Sequence, residues 1–172
     1  MKRLFVSIFS ILTALSAAAQ TSAADSLPLY QRFPFIPPFK LDKASDSTRF
    51  VKDDLKKKTA TLFILFSPDC EHCQHETKDL LANIDKFKKI QIVMATWLPY
   101  ADMKKFYEEY KIADYPKITM ARDAGFYLPP WFKVTSLPFL AMFNKKGDLI
   151  TTMEGSVSMQ KILEVFQPVP AK

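Results

Sequence analysis

Two cysteines three residues apart, Cys70 and Cys73, are the side chains of this sequence best suited to chemistry. They stand directly after an apolar run, at the point where a helix is expected to begin. Thiols at this spacing can join in a disulfide and exchange it with other thiols. They are unequal, because a helix dipole stabilises a thiolate at Cys70 while Cys73 lies one turn inside and is more shielded. The spacing therefore predicts Cys70 as the attacking thiol and Cys73 as the resolving thiol.

Three other interpretations of the two cysteines stay open. A structural disulfide is one, although so short a loop would restrict the unfolded chain little. A metal site is another, in which the cysteines would bind copper or zinc with His72 or His75, but no second Cys/His pair completes a tetrahedral set. The third is two unrelated thiols. We favour the redox centre and expect no resident metal and no cofactor.

The elements around the cysteines follow from hydrophobic periodicity. Residues 59–66 form a continuous apolar run before Ser67-Pro68-Asp69, as in a strand buried on both faces. The other predicted elements, in chain order, are short strands at 39–41 and 49–51, helix 70–87, strand 90–97, helix 100–112, strand 117–121, a hairpin of strands 139–143 and 149–153, and helix 157–166. This order predicts an α/β fold with a mixed central sheet, helices on both faces, and a C-terminal β-hairpin plus helix.

The N-terminus has the pattern of an export signal. Lys2 and Arg3 precede an apolar stretch, and Ala17-Ala18-Ala19 provides the small residues of a cleavage site before Gln20. The stretch is shorter than the roughly 20 apolar residues of a membrane-spanning helix, which disfavours a retained anchor. We therefore predict a signal peptide at 1–19, a proline-rich N-terminal arm at 20–38 and one domain at 39–172. An exported, for example periplasmic, protein meets oxidising conditions in which disulfides persist.

Composition excludes several other classes of function. The chain has 172 residues, a formal net charge of +6 and only 3 glycines, so a glycine-rich phosphate loop is not expected. Its lysines cluster in runs at 56–58 and 86–89, but acidic residues flank these runs and no aromatic residues alternate with them as on a base-stacking face. We interpret the runs as solvated helix ends and expect no nucleic-acid partner.

Taken together, these features resemble the thioredoxin superfamily over residues 39–166, and most closely its exported TlpA-like branch of thiol–disulfide oxidoreductases. The residues that carry the resemblance are the strand at 61–66, the motif Ser67-Pro68-Asp69-Cys70-Glu71-His72-Cys73, the later Ser136-Leu137-Pro138, and the hairpin turn at 144–148. The resemblance implies a cis peptide at Leu137–Pro138 that faces the cysteines and pairs with an extended partner peptide. It also implies protein dithiol or disulfide substrates, work as a reductase more than as an oxidase, and a membrane partner that supplies electrons.

The sequence departs from the thioredoxin pattern at several positions. Thioredoxin has a buried acid six residues before the first cysteine, and this chain has Ile64 there. A proton acceptor for Cys73 would have to be Glu71, Glu76 or water. His72, like the histidine of DsbA and protein disulfide isomerase motifs, stabilises a Cys70 thiolate, which permits an oxidase or isomerase role instead. Asp69 and Glu71 place negative charge beside the thiolate and oppose this.

A third class of function is a thioredoxin-like binding module without catalysis. In that case the proline-rich arm and an aromatic patch would dock a partner. The residues of the patch are Phe126, Tyr127, Trp131 and Phe132. We interpret these four side chains as packed in the core rather than as a docking surface.

The opposed effects of His72 and of the two flanking acids predict an intermediate redox potential. We expect the Cys70–Cys73 couple to lie between thioredoxin and DsbA, at about −270 to about −120 mV. Equilibration of the protein with glutathione or dithiothreitol redox buffers measures this value. A potential outside the interval would show that the three neighbouring charges do not set the balance.

Overall fold

A seven-stranded mixed sheet forms the centre of the computed structural model, which describes residues 27–167. The predicted signal peptide and residues 20–26 lie outside the described residues. The strands are β1 Lys40–Lys43, β2 Arg49–Val51, β3 Ala60–Leu65, β4 Ile90–Thr96, β5 Ile118–Arg122, β6 Phe139–Phe143 and β7 Leu149–Glu154. Their order across the sheet is β2-β1-β5-β4-β3-β6-β7.

Strands β3, β4 and β5 are parallel neighbours, whereas every other pairing is antiparallel. All residues of β3 and β4 are buried, as the unbroken apolar runs predicted. Side chains of β3 alternate between two cores: Leu62 and Ile64 point to one, Phe63 and Leu65 to the other. Because β3 is buried in the middle of the sheet, the chain that follows it leaves the sheet at a fixed position.

The helices cover the two faces of the sheet unequally. They are α1 Leu29–Arg32, α2 Glu71–Ala82, α3 Tyr100–Glu109, α4 Leu128–Phe132 and α5 Met159–Val165, with short 3-10 turns at Lys52–Asp54, Ile84–Phe87 and Ile112–Asp114. Leu80 of α2, Phe106 of α3 and Ile162 of α5 belong to the same core as Ile64. The opposite core holds Phe132 of α4 together with Ile36 of the N-terminal arm. The predicted sheet with helices on both faces is confirmed.

Two predicted helix ends are wrong. The helix expected at 100–112 ends at Glu109, and Lys111 then adopts a left-handed φ of 49° before a separate 3-10 turn. The periodicity indicated a single helix at 70–87, but α2 ends at Ala82 and a separate 3-10 turn begins at Ile84. The break lies at Asn83, whose φ and ψ of −112° and 12° are not helical. Its side-chain amide donates to the Asp79 carbonyl at 2.8 Å, so a local hydrogen bond competes with continuation of the helix.

The N-terminal arm crosses the α4 face, but it is not extended throughout, because α1 forms one helical turn near its start. Beyond α1 the arm is tied to the hairpin turn: the Ile36 N–H donates to the Gly147 carbonyl at 2.9 Å, and Leu149 N–H donates to the Pro34 carbonyl at 2.8 Å. Ile36 itself is buried. Within residues 27–167, no helix combines the length and apolarity needed to cross a membrane.

The predicted aromatic core at 126–132 is confirmed only in part. Trp131 and Phe132 are buried: the Trp131 ring packs against Phe33 and Phe35 of the arm, and the Phe132 ring packs against Phe139 and Phe143 of β6. Phe126 and Tyr127 precede that helix and remain 51% and 38% exposed. Phe126 lies in the left-handed region at φ 51° and packs edge-on against Trp97, with ring centroids 5.7 Å apart. The prediction is therefore wrong for these two residues.

Candidate functional site

Strand β3 delivers Cys70 to one edge of the sheet. The strand ends at Leu65, and Phe66 continues its pairing by donating to the Ala95 carbonyl at 3.0 Å. The chain then turns through Ser67, whose carbonyl accepts the Cys70 N–H at 3.2 Å. Gln74 of α2 donates from its side chain to the Pro68 carbonyl at 2.8 Å and holds this turn against the helix. Cys70 thus follows a hydrogen-bonded turn at the end of a buried strand.

Cys70 is the N-cap residue of α2. Its backbone is extended, with φ and ψ of −86° and 113°, and its sulfur accepts the Cys73 N–H at 3.2 Å. An N-cap side chain ordinarily satisfies one of the free N–H groups of the first turn, and here a sulfur does so. Both cysteines are unpaired thiols in this structure, with Cys70 partly exposed and Cys73 buried. The predicted placement of the two thiols at the start of a helix is confirmed.

Burial makes Cys73 a poor acid. Loss of solvent and the hydrogen bond with Cys70 raise the pKa of the Cys73 thiol to about 12, and the nearby Cys70 and Glu76 charges act in the same direction. A backbone N–H…S contact with Ser67 opposes this only in part. Cys73 therefore stays protonated near neutral pH unless a base accepts its proton.

A buried carboxyl group, that of Glu76, lies on the same face of α2, three residues after Cys73. It is 3% exposed, and burial raises its pKa to about 7, assisted by the charge of Asp79. One oxygen, Oε2, accepts the Val157 N–H at 3.2 Å. The other, Oε1, is buried without a hydrogen-bond partner among the described residues. This carboxyl group can hold or release a proton near neutral pH.

The buried carboxyl group beside the cysteines lies on α2 and not on the preceding strand. Ile64 is 2% exposed in β3, so the position six residues before Cys70 is apolar, as its sequence indicated. Of the three proton acceptors considered from the sequence, Glu71 is exposed whereas Glu76 is buried. In the sequence, only the spacing indicated that Glu76 lies near Cys73: residues three apart on a helix have their side chains on the same face. Burial of that face was not evident from the sequence.

The other motif residues point to solvent. Asp69, Glu71 and His72 are all exposed. His72 Nδ1 lies 3.4 Å from Ser156 Oγ, on the loop between β7 and α5. Since Val157 of the same loop bonds Glu76, two residues of α2 hold this loop beside the cysteines. The tuning of Cys70 by Asp69, Glu71 and His72 stays a prediction.

Leu137–Pro138 is a cis peptide, as the resemblance implied. Pro138 precedes Phe139, which pairs with Leu65 in the sheet, so this peptide lies at the edge where β3 ends and the cysteine turn begins. Leu137 is partly buried and packs against the same core as Cys70. The Pro138 carbonyl accepts the Gly155 N–H at 2.8 Å. The binding of a partner peptide by Leu137 and Pro138 stays a prediction.

The sequence had left open a metal site at the cysteines. Within the described range 27–167, no group of three His, Cys, Asp or Glu side chains converges as a metal site would require. His72 and His75 are exposed on α2, and the hydrogen bond of His72 is made with Ser156.

Several solved structures have an architecture similar to that of this chain. StoA from Bacillus subtilis is 16% identical, with a TM-score of 0.57 over 77% of this chain and 98% of its own. A secreted Mycobacterium tuberculosis disulfide oxidoreductase homologous to E. coli DsbE is 16% identical, with a TM-score of 0.59 over 74% of this chain and 93% of its own. A thioredoxin-like protein from Aeropyrum pernix is 17% identical, with a TM-score of 0.58 over 74% and 87%.

These likenesses establish a thioredoxin-like fold for this chain. No family model matches the sequence, and no curated protein matches it. The predicted fold class is therefore confirmed by structure alone, and the activity has to be argued from the site.

Burial of Glu76 predicts that stability depends on pH. Its pKa rises from 4.5 to about 7 on folding, so the folded state binds the extra proton between these values. The contribution of Glu76 to the free energy of unfolding should be largest below pH 4.5. It should fall by up to about 3 kcal/mol as the pH rises from 4.5 through about 7. Urea denaturation of wild type and Glu76→Gln measures this. The variant should lose the slope in this window, and an unchanged slope would contradict the assignment.

Proposed function

We propose that this chain is an exported thiol–disulfide oxidoreductase of the TlpA-like kind, which exchanges disulfides with protein partners and acts more as a reductase than as an oxidase. The observation that carries the proposal is the unequal pair at the start of α2. Cys70 is partly exposed and caps the helix, whereas Cys73 is buried behind it. The thioredoxin-like fold supports this, as does the oxidoreductase description of one structural neighbour.

The first step is attack by the partly exposed sulfur. The Cys70 thiolate attacks one sulfur of a partner disulfide, the S–S bond breaks, and the other partner sulfur leaves as a thiolate. Cys70 and the partner are then joined in a mixed disulfide. The Cys73 N–H that now faces Cys70 Sγ at 3.2 Å stabilises negative charge on that sulfur before the attack. Cys73 cannot compete as attacker, because it is 1% exposed and its pKa is about 12.

The second step needs a base for Cys73. Its sulfur attacks Cys70 Sγ, the mixed disulfide breaks, and the partner leaves with its second thiolate. Two electrons have then passed to the partner, and Cys70–Cys73 has become a disulfide. The proton of Cys73 goes to the Glu76 carboxylate, either directly or through one water molecule. A carboxyl group with a pKa of about 7 is well suited to take up this proton at neutral pH and to return it on reduction.

The reductase direction rests on the TlpA-like resemblance and on the charges beside the attacking thiol. A thiolate stabilised in the reduced form makes a dithiol a strong oxidant when it is a disulfide, as in DsbA. Exposed Asp69 and Glu71 place negative charge beside Cys70 and oppose such stabilisation, whereas His72 acts in the other direction. In an exported setting, a reductase of this kind requires a membrane partner that returns two electrons to the Cys70–Cys73 disulfide.

A trapping experiment tests the roles of the two cysteines. The Cys73→Ala variant should accumulate mixed disulfides with exported proteins, because Cys70 attacks and no second thiol resolves the bond. Non-reducing gels followed by mass spectrometry of the captured bands measure this. Cys70→Ala is the matched control and should capture almost nothing. Capture by Cys70→Ala but not by Cys73→Ala would reverse the roles, and capture by neither would contradict the proposal.

A second experiment separates Glu76 from the attack step. In Glu76→Gln, resolution of a preformed mixed disulfide should slow by about 100-fold at neutral pH, which is within the range expected for loss of a general base. Attack by Cys70 on a small disulfide should change little. Stopped-flow measurement of both steps distinguishes them. Glu71→Gln removes an exposed carboxylate of the same motif and should leave resolution unchanged, so equal slowing in both variants would contradict the role of Glu76.

A further inference from the structure

Lysines from four separate segments meet at the edge of the sheet opposite the cysteines. Strands β3, β4 and β5 are parallel, so the segments before them begin at one common edge, and the β6–β7 turn returns to that edge. We call this surface the basic face. Its members are Lys56, Lys57, Lys58, Lys88, Lys89, Lys117, Lys145 and Lys146. The interpretation of these runs as unrelated solvated helix ends is therefore incomplete, because the fold gathers them.

The basic face holds a groove of about 320 Å³ whose charged lining is entirely lysine. Six lysines line it, with Thr59, Ile90 and Gln91 between them. A neighbouring groove of about 630 Å³ shares Lys88, Lys89 and Lys145 and adds Asp85, Lys86 and apolar side chains from the end of α5, including Leu163 and Phe166. Two acidic side chains, Asp53 and Asp85, line the adjoining grooves, but lysines outnumber them, so the surface is positively charged and attracts anions.

Exposed aromatic rings adjoin the basic face. Phe33 and Phe35 of the N-terminal arm are 40% and 41% exposed, and their ring centroids lie 6.0 Å apart. Both rings rest on Trp131 of α4, at 6.0 Å and 6.3 Å. Leu29, one turn earlier, is 37% exposed. We call Phe33, Phe35 and Leu29 the apolar ridge.

Direct contacts join the ridge to the lysines. Lys52 Nζ lies 5.2 Å from the Phe35 ring centroid and donates to the Ile36 carbonyl at 2.7 Å. Lys52 also lines a groove with Lys56, Lys57 and Lys146 of the basic face. Phe35 bridges to Asp148 in the hairpin turn that carries the last two lysines. These contacts join the apolar ridge and the basic face into one continuous surface.

We propose that this surface docks on a bilayer of anionic phospholipids. Lysines bind phosphate-bearing headgroups, while phenylalanine and leucine side chains enter the boundary between headgroups and acyl chains. A second copy of the chain fits poorly, because it would set lysines against lysines. A nucleic acid fits less well than a bilayer, because the Phe33 and Phe35 rings are tilted by 59° to each other and by 30° and 53° to the Trp131 ring, and so offer no row of stacking platforms.

Docking in this way gives the redox site a defined orientation. Strand β3 begins at the basic face and ends before Cys70, and its six residues span roughly 20 Å. Cys70 would then face away from the bilayer. Asp69 and Glu71, exposed beside Cys70, favour this orientation, because an anionic surface repels them.

Vesicle flotation of the full chain tests the proposal. Vesicles of equal parts phosphatidylcholine and phosphatidylglycerol should bind the protein at low salt, and vesicles of phosphatidylcholine alone should bind it far less. Binding should weaken at about 1 M NaCl, where the Debye length is about 3 Å. The predicted signal peptide carries Lys2 and Arg3, so a retained leader would itself favour the anionic vesicles, and the lysine substitutions below separate its contribution from that of the basic face. Equal binding to both vesicles, or to neither, would overturn the proposal.

Matched variants separate this surface from net charge. Replacing Lys88, Lys89 and Lys145 by Gln should weaken binding to the anionic vesicles by about 100-fold, given the usual contribution of each lysine near such a surface. The control variant replaces Lys78, Lys105 and Lys161 by Gln; these lysines are exposed on α2, α3 and α5. Its binding to the anionic vesicles should weaken several-fold at most. Equal loss in both triple variants would mean that net charge alone acts, and would overturn the docking surface.

The apolar ridge has its own variant. Phe33→Ser with Phe35→Ser should reduce the binding that survives at high salt, and both side chains are exposed enough for the fold to persist. Sedimentation of the wild type without vesicles provides a further check. Concentration-dependent dimers that these two substitutions abolish would identify a second copy as the occupant and overturn the bilayer. Tighter binding to single-stranded RNA than to anionic vesicles at the same salt would also overturn it.

Discussion

Parallel pairing of β3 with β4, and of β4 with β5, decides which end of each central strand lies at which edge of the sheet. Because β3 is buried on both faces, a shift of its register by one residue would exchange Phe63 and Ile64 between the two cores and disrupt the packing of both. The carboxyl end of β3 carries Cys70, and the amino end begins beside the lysines at 56–58. One set of backbone hydrogen bonds therefore positions both the cysteine pair and the basic face, at opposite edges.

Burial on the first turns of α2 raises the pKa values of Cys73 and Glu76. Cys73 and Glu76 share the face that packs on the sheet, so both lose solvent and both acquire raised pKa values. Thioredoxin has its buried acid on the strand before the motif. In this chain the buried acid is Glu76 on α2, and Ile64 occupies the strand position as part of the apolar core. The loop after β7 closes over this face through Val157 and Ser156. The site thus consists of the four-residue motif and of the contact between α2 and a loop more than eighty residues later in the chain.

The two ends of the molecule have opposite character, and this difference links the two proposals. Exposed carboxylates lie beside Cys70, while the opposite edge gathers lysines next to exposed aromatic rings. A protein that rests on an anionic bilayer by its basic face would present Cys70 to partners in solution. A membrane electron donor would then need a domain that reaches roughly 20 Å from the surface, the length of β3.

Local features of the sequence were sufficient for the elements and for the two thiols. An unbroken apolar run specifies a buried strand, and two cysteines at the next helix start specify a dithiol, because both signals depend on neighbours within a few residues. The break of α2 at Asn83 and the exposure of Phe126 depend on local hydrogen bonds and a left-handed residue that periodicity does not encode. The burial of Glu76, the contact of His72 with Ser156 and the gathering of lysines from four segments were decided only by the tertiary structure. Each of these joins parts of the chain that are far apart in sequence, and only the packing of the sheet brings them together.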